Sequence, residues 1–112
     1  MVLGITLPSF AGIKIKDLLG TWKYEAVVEM QTLAGKFSFE KKDGELIGEV
    51  NTSEGETFLM NTIEIREDNV LYFELGDNGE VYKVTVTLMK DKFAGTLSNG
   101  QEEAPISGEK IK

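Results

Sequence analysis

A chain of 112 residues is enough for one domain with a single core, burying roughly two thirds of the surface its unfolded form would expose. Hydrophobic residues at 41% and charged residues at 28% are ordinary for a soluble globular protein, and nineteen acidic against twelve basic side chains leave a formal charge of −7 that disfavours nucleic acid and anionic membrane surfaces as partners. Neither cysteine nor histidine occurs. Disulfides, thiolate chemistry, Ser-His and Cys-His catalytic pairs, most zinc sites and His-ligated haem are thereby removed.

Residues 1–12 read as a separate arm before a barrel domain over residues 13–112. The run from Val2 to Ala11 is apolar and ends in Ser9-Phe10-Ala11, a small-x-small pattern like a signal-peptidase site, although the basic start of a signal peptide is missing. Two readings stand: the remnant of an export signal, which would place the protein in the secreted or periplasmic space, or an apolar arm packed on the domain. The run is far too short to span a bilayer, which takes about 20 apolar residues, so no membrane insertion is expected.

From Ile13 the chain alternates and then reads as a helical turn stopped at Gly20, placed to plug one end of the following sheet. Residues 21–31 have period two, with Trp22, Tyr24, Ala26, Val28 and Met30 on one face and Lys23, Glu25 and Glu29 on the other. Phe37 and Phe39 share a face in residues 35–41, and Lys42-Asp43-Gly44 turns the chain into a partner strand with Leu46, Gly48 and Val50 aligned. Phe58, Met60, Ile63 and Ile65 change phase at Asn61-Thr62, which predicts a bulge. After Glu67-Asp68-Asn69, Leu71 and Phe73 share a face, and Gly76-Asp77-Asn78-Gly79 turns again. Tyr82, Val84, Val86 and Leu88 then alternate with Val81, Lys83, Thr85 and Thr87, and Phe93, Gly95 and Leu97 follow. The last strand holds Ala104, Ile106 and Gly108, with Pro105 making its start irregular.

Gly48 and Gly95 occupy matching places in two similar hairpins, 47 positions apart. A glycine inside a strand costs about 0.5–1 kcal/mol relative to alanine, so each predicts a sharp bend or a close bulky neighbour, for which Trp22 is the candidate. Eight or so strands joined by short turns pair most economically with their sequence neighbours. The fold class expected is all-β: a single antiparallel up-and-down meander barrel of about eight strands with a short N-terminal helical turn.

With these elements in place, Gly20-Thr21-Trp22-Lys23 resembles the Gly-x-Trp start of the first barrel strand of the calycins, the group of lipocalins, fatty-acid-binding proteins and avidin-like barrels. The likeness is greatest to the short lipocalin-like domains of exported bacterial proteins. The hairpins at Asp43 to Val50 and Asp91 to Leu97 match the meander pattern. The resemblance covers Leu18 to the C terminus and implies the carriage of small apolar molecules. Lipocalins place a basic side chain over the tryptophan late in the barrel, a position open here to Lys110 or Lys112. Fatty-acid-binding proteins insert a helical hairpin after the first strand, for which residues 31–37 show no period, and their carboxylate-binding arginine has no counterpart, since Arg66 is the sole arginine.

The candidate ligand-binding residues are the inward aromatics Trp22, Tyr24, Phe37, Phe39, Phe58, Phe73 and Phe93. Interdigitated they make a solid plug; splayed they line an apolar pocket. Eight short strands are near the size that side chains alone fill, so a small cavity or none is expected. Asp77-Asn78-Gly79-Glu80 offers oxygen ligands but is ordinary turn chemistry, and no catalytic motif or phosphate loop is present. The expectation is a non-catalytic binder of an apolar ligand with no metal or cofactor. The alternative is a filled barrel that acts as a structural or interaction domain on a cell-envelope protein partner.

Overall fold

The computed structural model describes residues 14–77 and 79–111; the arm expected over residues 1–12 lies outside them. A helical turn, α1 (Ile15–Leu18), precedes eight strands: β1 (Gly20–Val28), β2 (Gln31–Lys42), β3 (Glu45–Thr52), β4 (Thr57–Arg66), β5 (Val70–Asp77), β6 (Glu80–Met89), β7 (Lys92–Ser98) and β8 (Glu103–Lys110). Each is antiparallel to its sequence neighbour, and β8 returns to β1 through Trp22↔Lys110 to Ala26↔Ile106, so the sheet closes into an up-and-down barrel. Closure leaves no edge strand to template aggregation.

Period-two hydrophobicity drives the arrangement. On β6, Val84, Val86 and Leu88 are buried while Lys83, Thr85 and Thr87 face water, and on β1 the same holds for Trp22, Tyr24 and Ala26 against Lys23 and Glu25. Tight turns set the register. Asp43 and Gly44 both take positive φ between β2 and β3, as Asp68 and Asn69 do between β4 and β5, conformations whose twist suits a two-residue hairpin. The predicted bulge falls where the phase changed: the β4–β5 register shifts between Met60 and Thr62. The ladder that β4 shares with β3 is short, with the pairs Glu49↔Leu59, Val50↔Phe58 and Asn51↔Thr57, and ends just before that shift. On β8, the ladder to β1 starts at Ile106, directly after Pro105.

Two expectations are corrected. Met30 does not extend the inward face of β1, because Glu29 and Met30 themselves form the β1–β2 turn, both with left-handed φ (50° and 68°), and Met30 is 97% exposed. Strand β2 therefore starts at Gln31. Nor is Trp22 the bulky neighbour of the inward glycines: Gly48 gives room to the Met60 thioether and the Phe39 ring, and Gly95 lets β7 approach the Thr85 carbonyl and Val86 backbone of β6. The glycines serve curvature and close strand approach, as barrel closure requires.

With strands alternating in direction, the turns β1–β2, β3–β4, β5–β6 and β7–β8 gather at one end. At the other lie α1 and the turns β2–β3, β4–β5 and β6–β7. This second end is closed by α1, whose Leu18 is fully buried against the barrel interior.

Candidate functional site

The closed end is built around Trp22. Its position on β1 points the indole inward, where Nε1 donates to the Leu18 carbonyl oxygen at 2.9 Å and so ties α1 across the barrel base. From β8, the Lys110 ammonium lies 5.5 Å from the centre of the Trp22 ring and donates to the Asp17 carbonyl at 3.1 Å. Lys110 thus takes the place that the sequence left open to Lys110 or Lys112; Lys112 lies outside the described residues. Exposed cation–π contacts are modest, so Lys110→Met, which keeps the aliphatic stem, should lower stability by about 0.5–1 kcal/mol in urea unfolding.

Above the indole the aromatics interlock. Phe93 stands edge-on to Trp22 at 6.0 Å, Phe37 packs against Phe73 at 5.1 Å and Phe93 at 5.6 Å, and Phe39 meets Phe73 at 6.2 Å. The space left among Trp22, Phe37, Phe39, Phe73, Phe93 and Leu18 is about 10 Å³, room for no more than one water. Five of the seven sequence-predicted site residues therefore come together in a solid plug. Tyr24 caps it, its ring stacked on Phe37 at 4.6 Å and 10°. Burial pushes the Tyr24 phenol pKa up.

Phe58, the seventh, is half-buried on β4 opposite Val50, outside the plug. With it, Val28, Met60, Tyr82 and Leu97 turn inward against the core yet keep partial contact with water. Leu46 at the α1 end and Ile63 in mid-strand are half-buried as well, while Ala26 and Ile106 toward the opposite, open end are fully buried, so the half-buried apolar residues Val28, Phe58, Met60, Tyr82 and Leu97 mark that end without a large void between them. Alternation had already put Met60, Tyr82 and Leu97 on the inward face. What it lacked was their height: only their nearness to the turns of the open end distinguishes them from Val84 or Val86 below. No buried polar or charged residue occurs among the described residues, and none of these contributes to a cluster of three or more metal-ligating side chains.

No protein-family model matches the sequence, and no curated protein matches it. Solved structures do. The fatty-acid-binding protein of Schistosoma mansoni in complex with arachidonic acid superposes with a TM-score of 0.59 at 12% identity, covering 88% of this chain and 98% of that one. The fold is calycin-like. A redesigned β-barrel bound to DFHBI gives a TM-score of 0.63 at 15% identity, covering 87% of this chain and 97% of its own. Fatty-acid-binding protein 1 of Echinococcus granulosus gives 0.58 at 11%, covering 87% and 99%. At these identities the likeness to calycin barrels is one of architecture, and the side chains inside are this chain's own.

Proposed function

We propose that this protein is a non-catalytic binder of a small apolar molecule, taken up at the end of the barrel opposite α1. The carrying observation is a group of half-buried apolar side chains, Val28, Phe58, Met60, Tyr82 and Leu97, turned inward at the end away from α1 above an aromatic floor with about 10 Å³ free. Apolar walls with few polar groups are the ordinary make-up of small-ligand sites. The calycin-like neighbours support the reading at the level of fold, since two are fatty-acid-binding proteins and one is a barrel bound to DFHBI. In this reading Tyr24 and Phe58 touch the ligand, and Trp22, Phe37, Phe39, Phe73 and Phe93 form the floor beneath it.

The test is a titration of the purified chain with fatty acids, retinoids and neutral aromatic probes, followed by the probes' own fluorescence or by heat. Saturable one-to-one binding by a member of the panel is expected. No saturable binding by any of them contradicts the proposal and favours a second reading, a filled barrel that acts through its outer wall on an envelope protein. One observation supports that alternative: a groove of about 340 Å³ over β2, β3 and β4, lined by Ser38, Glu40, Ile47, Glu49 and Leu59, with Leu59 69% exposed.

A further inference from the structure

The β3–β4 ladder is the shortest in the barrel, three pairs against five to nine in each of the others. It ends at Glu49↔Leu59, and from there toward the closed end residues 45–48 of β3 and 60–66 of β4 run on without pairing to each other. The wall has a seam at this place.

Apolar side chains are accessible along the seam. Of the seven inward hydrophobics that are only partly buried, Leu46, Phe58, Met60 and Ile63 stand on β3 and β4. Height in the barrel does not account for them. Leu46, Leu71 and Phe93 are each the second residue of a strand leaving the closed end, yet Leu71 and Phe93 are 3% and 4% exposed while Leu46 is half-buried. Ile63 is half-buried although its partner across the β4–β5 ladder, Phe73, is fully buried. What Leu46 and Ile63 have in common is that the ladder beside them is missing.

The seam has an inner and an outer side. Within, the Met60 thioether takes the space that a side chain on Gly48 would fill, so one unbranched, readily rotating side chain stands where the ladder stops. Outside, the groove of about 340 Å³ has Ile47 and Gly48 on one lip and Leu59 on the other, with Phe39 beneath. That volume is at the lower end of the range for small-ligand pockets, about 300–1,000 Å³. A strip between two strands suits a narrow molecule.

We propose that the β3–β4 seam is a side slot for an unbranched alkyl chain, which lies against Leu46, Met60 and Ile63 with its polar head in the outer groove. Met60 swings aside to admit it, and none of the three β3–β4 pairs has to open. The proposal rests on the apolar-binding reading above and adds to it the shape of the ligand and the place of its chain. Met60 and Phe58 join the slot to the half-buried group at the open end.

Two-dimensional NMR titration of the labelled full chain with 1-octanol and with 1-adamantanol tests it, since both are neutral alcohols and only the first is slim. Octanol should shift the methyl resonances of Leu46, Met60 and Ile63 saturably, and adamantanol should bind severalfold more weakly. Leu59→Glu, which puts a charge on the outer lip at an exposed position, should weaken octanol severalfold. Met89→Glu, the same kind of exchange at an exposed position on β6, should leave it unchanged. Shifts at Val28 and Leu97 with Leu46 and Ile63 unmoved overturn the slot while leaving apolar binding at the open end in place. Adamantanol binding as tightly as octanol, or equal losses in the two variants, overturns it likewise. Failure of both alcohols to bind removes the slot and the apolar-binding reading together.

Discussion

Trp22→Ala should lower the unfolding free energy by about 3–5 kcal/mol, the range for deleting a large aromatic from a core. Domains of this kind have about 5–15 kcal/mol in all, so the variant would sit near the threshold of folding. Three contacts are lost at once: the edge-on packing of Phe93, the Nε1 hydrogen bond that anchors Leu18, and the surface over which Lys110 lies. The cavity left cannot collapse readily, because β1 is held by ladders to both β2 and β8. Trp22→Phe separates the contributions: it refills much of the volume but leaves the Leu18 carbonyl without its donor, and should cost about 1–3 kcal/mol. Urea unfolding measures both. A loss below about 1 kcal/mol for the alanine variant would show that the indole does not occupy the core.

Gly108→Ala should be, with Gly95→Ala, among the most damaging exchanges of a glycine. A methyl group there would overlap the Lys23 carbonyl of β1 and the Phe93 ring. The Lys23 carbonyl belongs to the β1–β8 ladder that closes the barrel, with Lys23 opposite Glu109 and Tyr24 opposite Gly108. Backbone cannot give way as a side-chain tip can, so the strands must separate or the Phe93 plug must shift, at a cost of about 1–3 kcal/mol or more. Amide exchange should quicken along β1 and β8 ahead of the other strands. The outward Ser107→Ala, one residue away, should change stability by less than about 0.5 kcal/mol. Equal effects at the two positions would contradict the close approach described here.

The strands, their inward faces and the β4 bulge were legible in the sequence because each has a signature in phase: Val84, Val86 and Leu88 alternate strictly, and Asn61-Thr62 breaks the alternation of β4. The Gly-x-Trp step and the helical turn before it likewise announced a plugged end. The β1–β2 turn had no such signature. Left-handed backbone at Glu29 and Met30 is paid by residues that do not ordinarily adopt it, and only the pairing of two long strands on either side explains it. Tyr72 shows a similar limit. Its phase points it outward, but it is buried beneath the Arg66 guanidinium, 4.2 Å above its ring, with Arg66 in turn bonded to Glu64 and the Tyr72 hydroxyl donating to Glu74. Which aromatics pack and which stay accessible was hidden for a different reason. Alternation gives the side of the sheet a residue faces but not its height in the barrel, and height separates Phe73 from Phe58.

The most direct test of a floored barrel filled from its open end is a two-dimensional NMR titration of the labelled chain with 1-octanol, read at side-chain methyls and the indole N–H. Shifts are expected at Val28, Met60 and Leu97, with the Trp22 Nε1–H resonance unmoved beneath the aromatic floor. Shifts confined to Ile47 and Leu59 on the outer wall, or no shifts at saturating octanol, would contradict it.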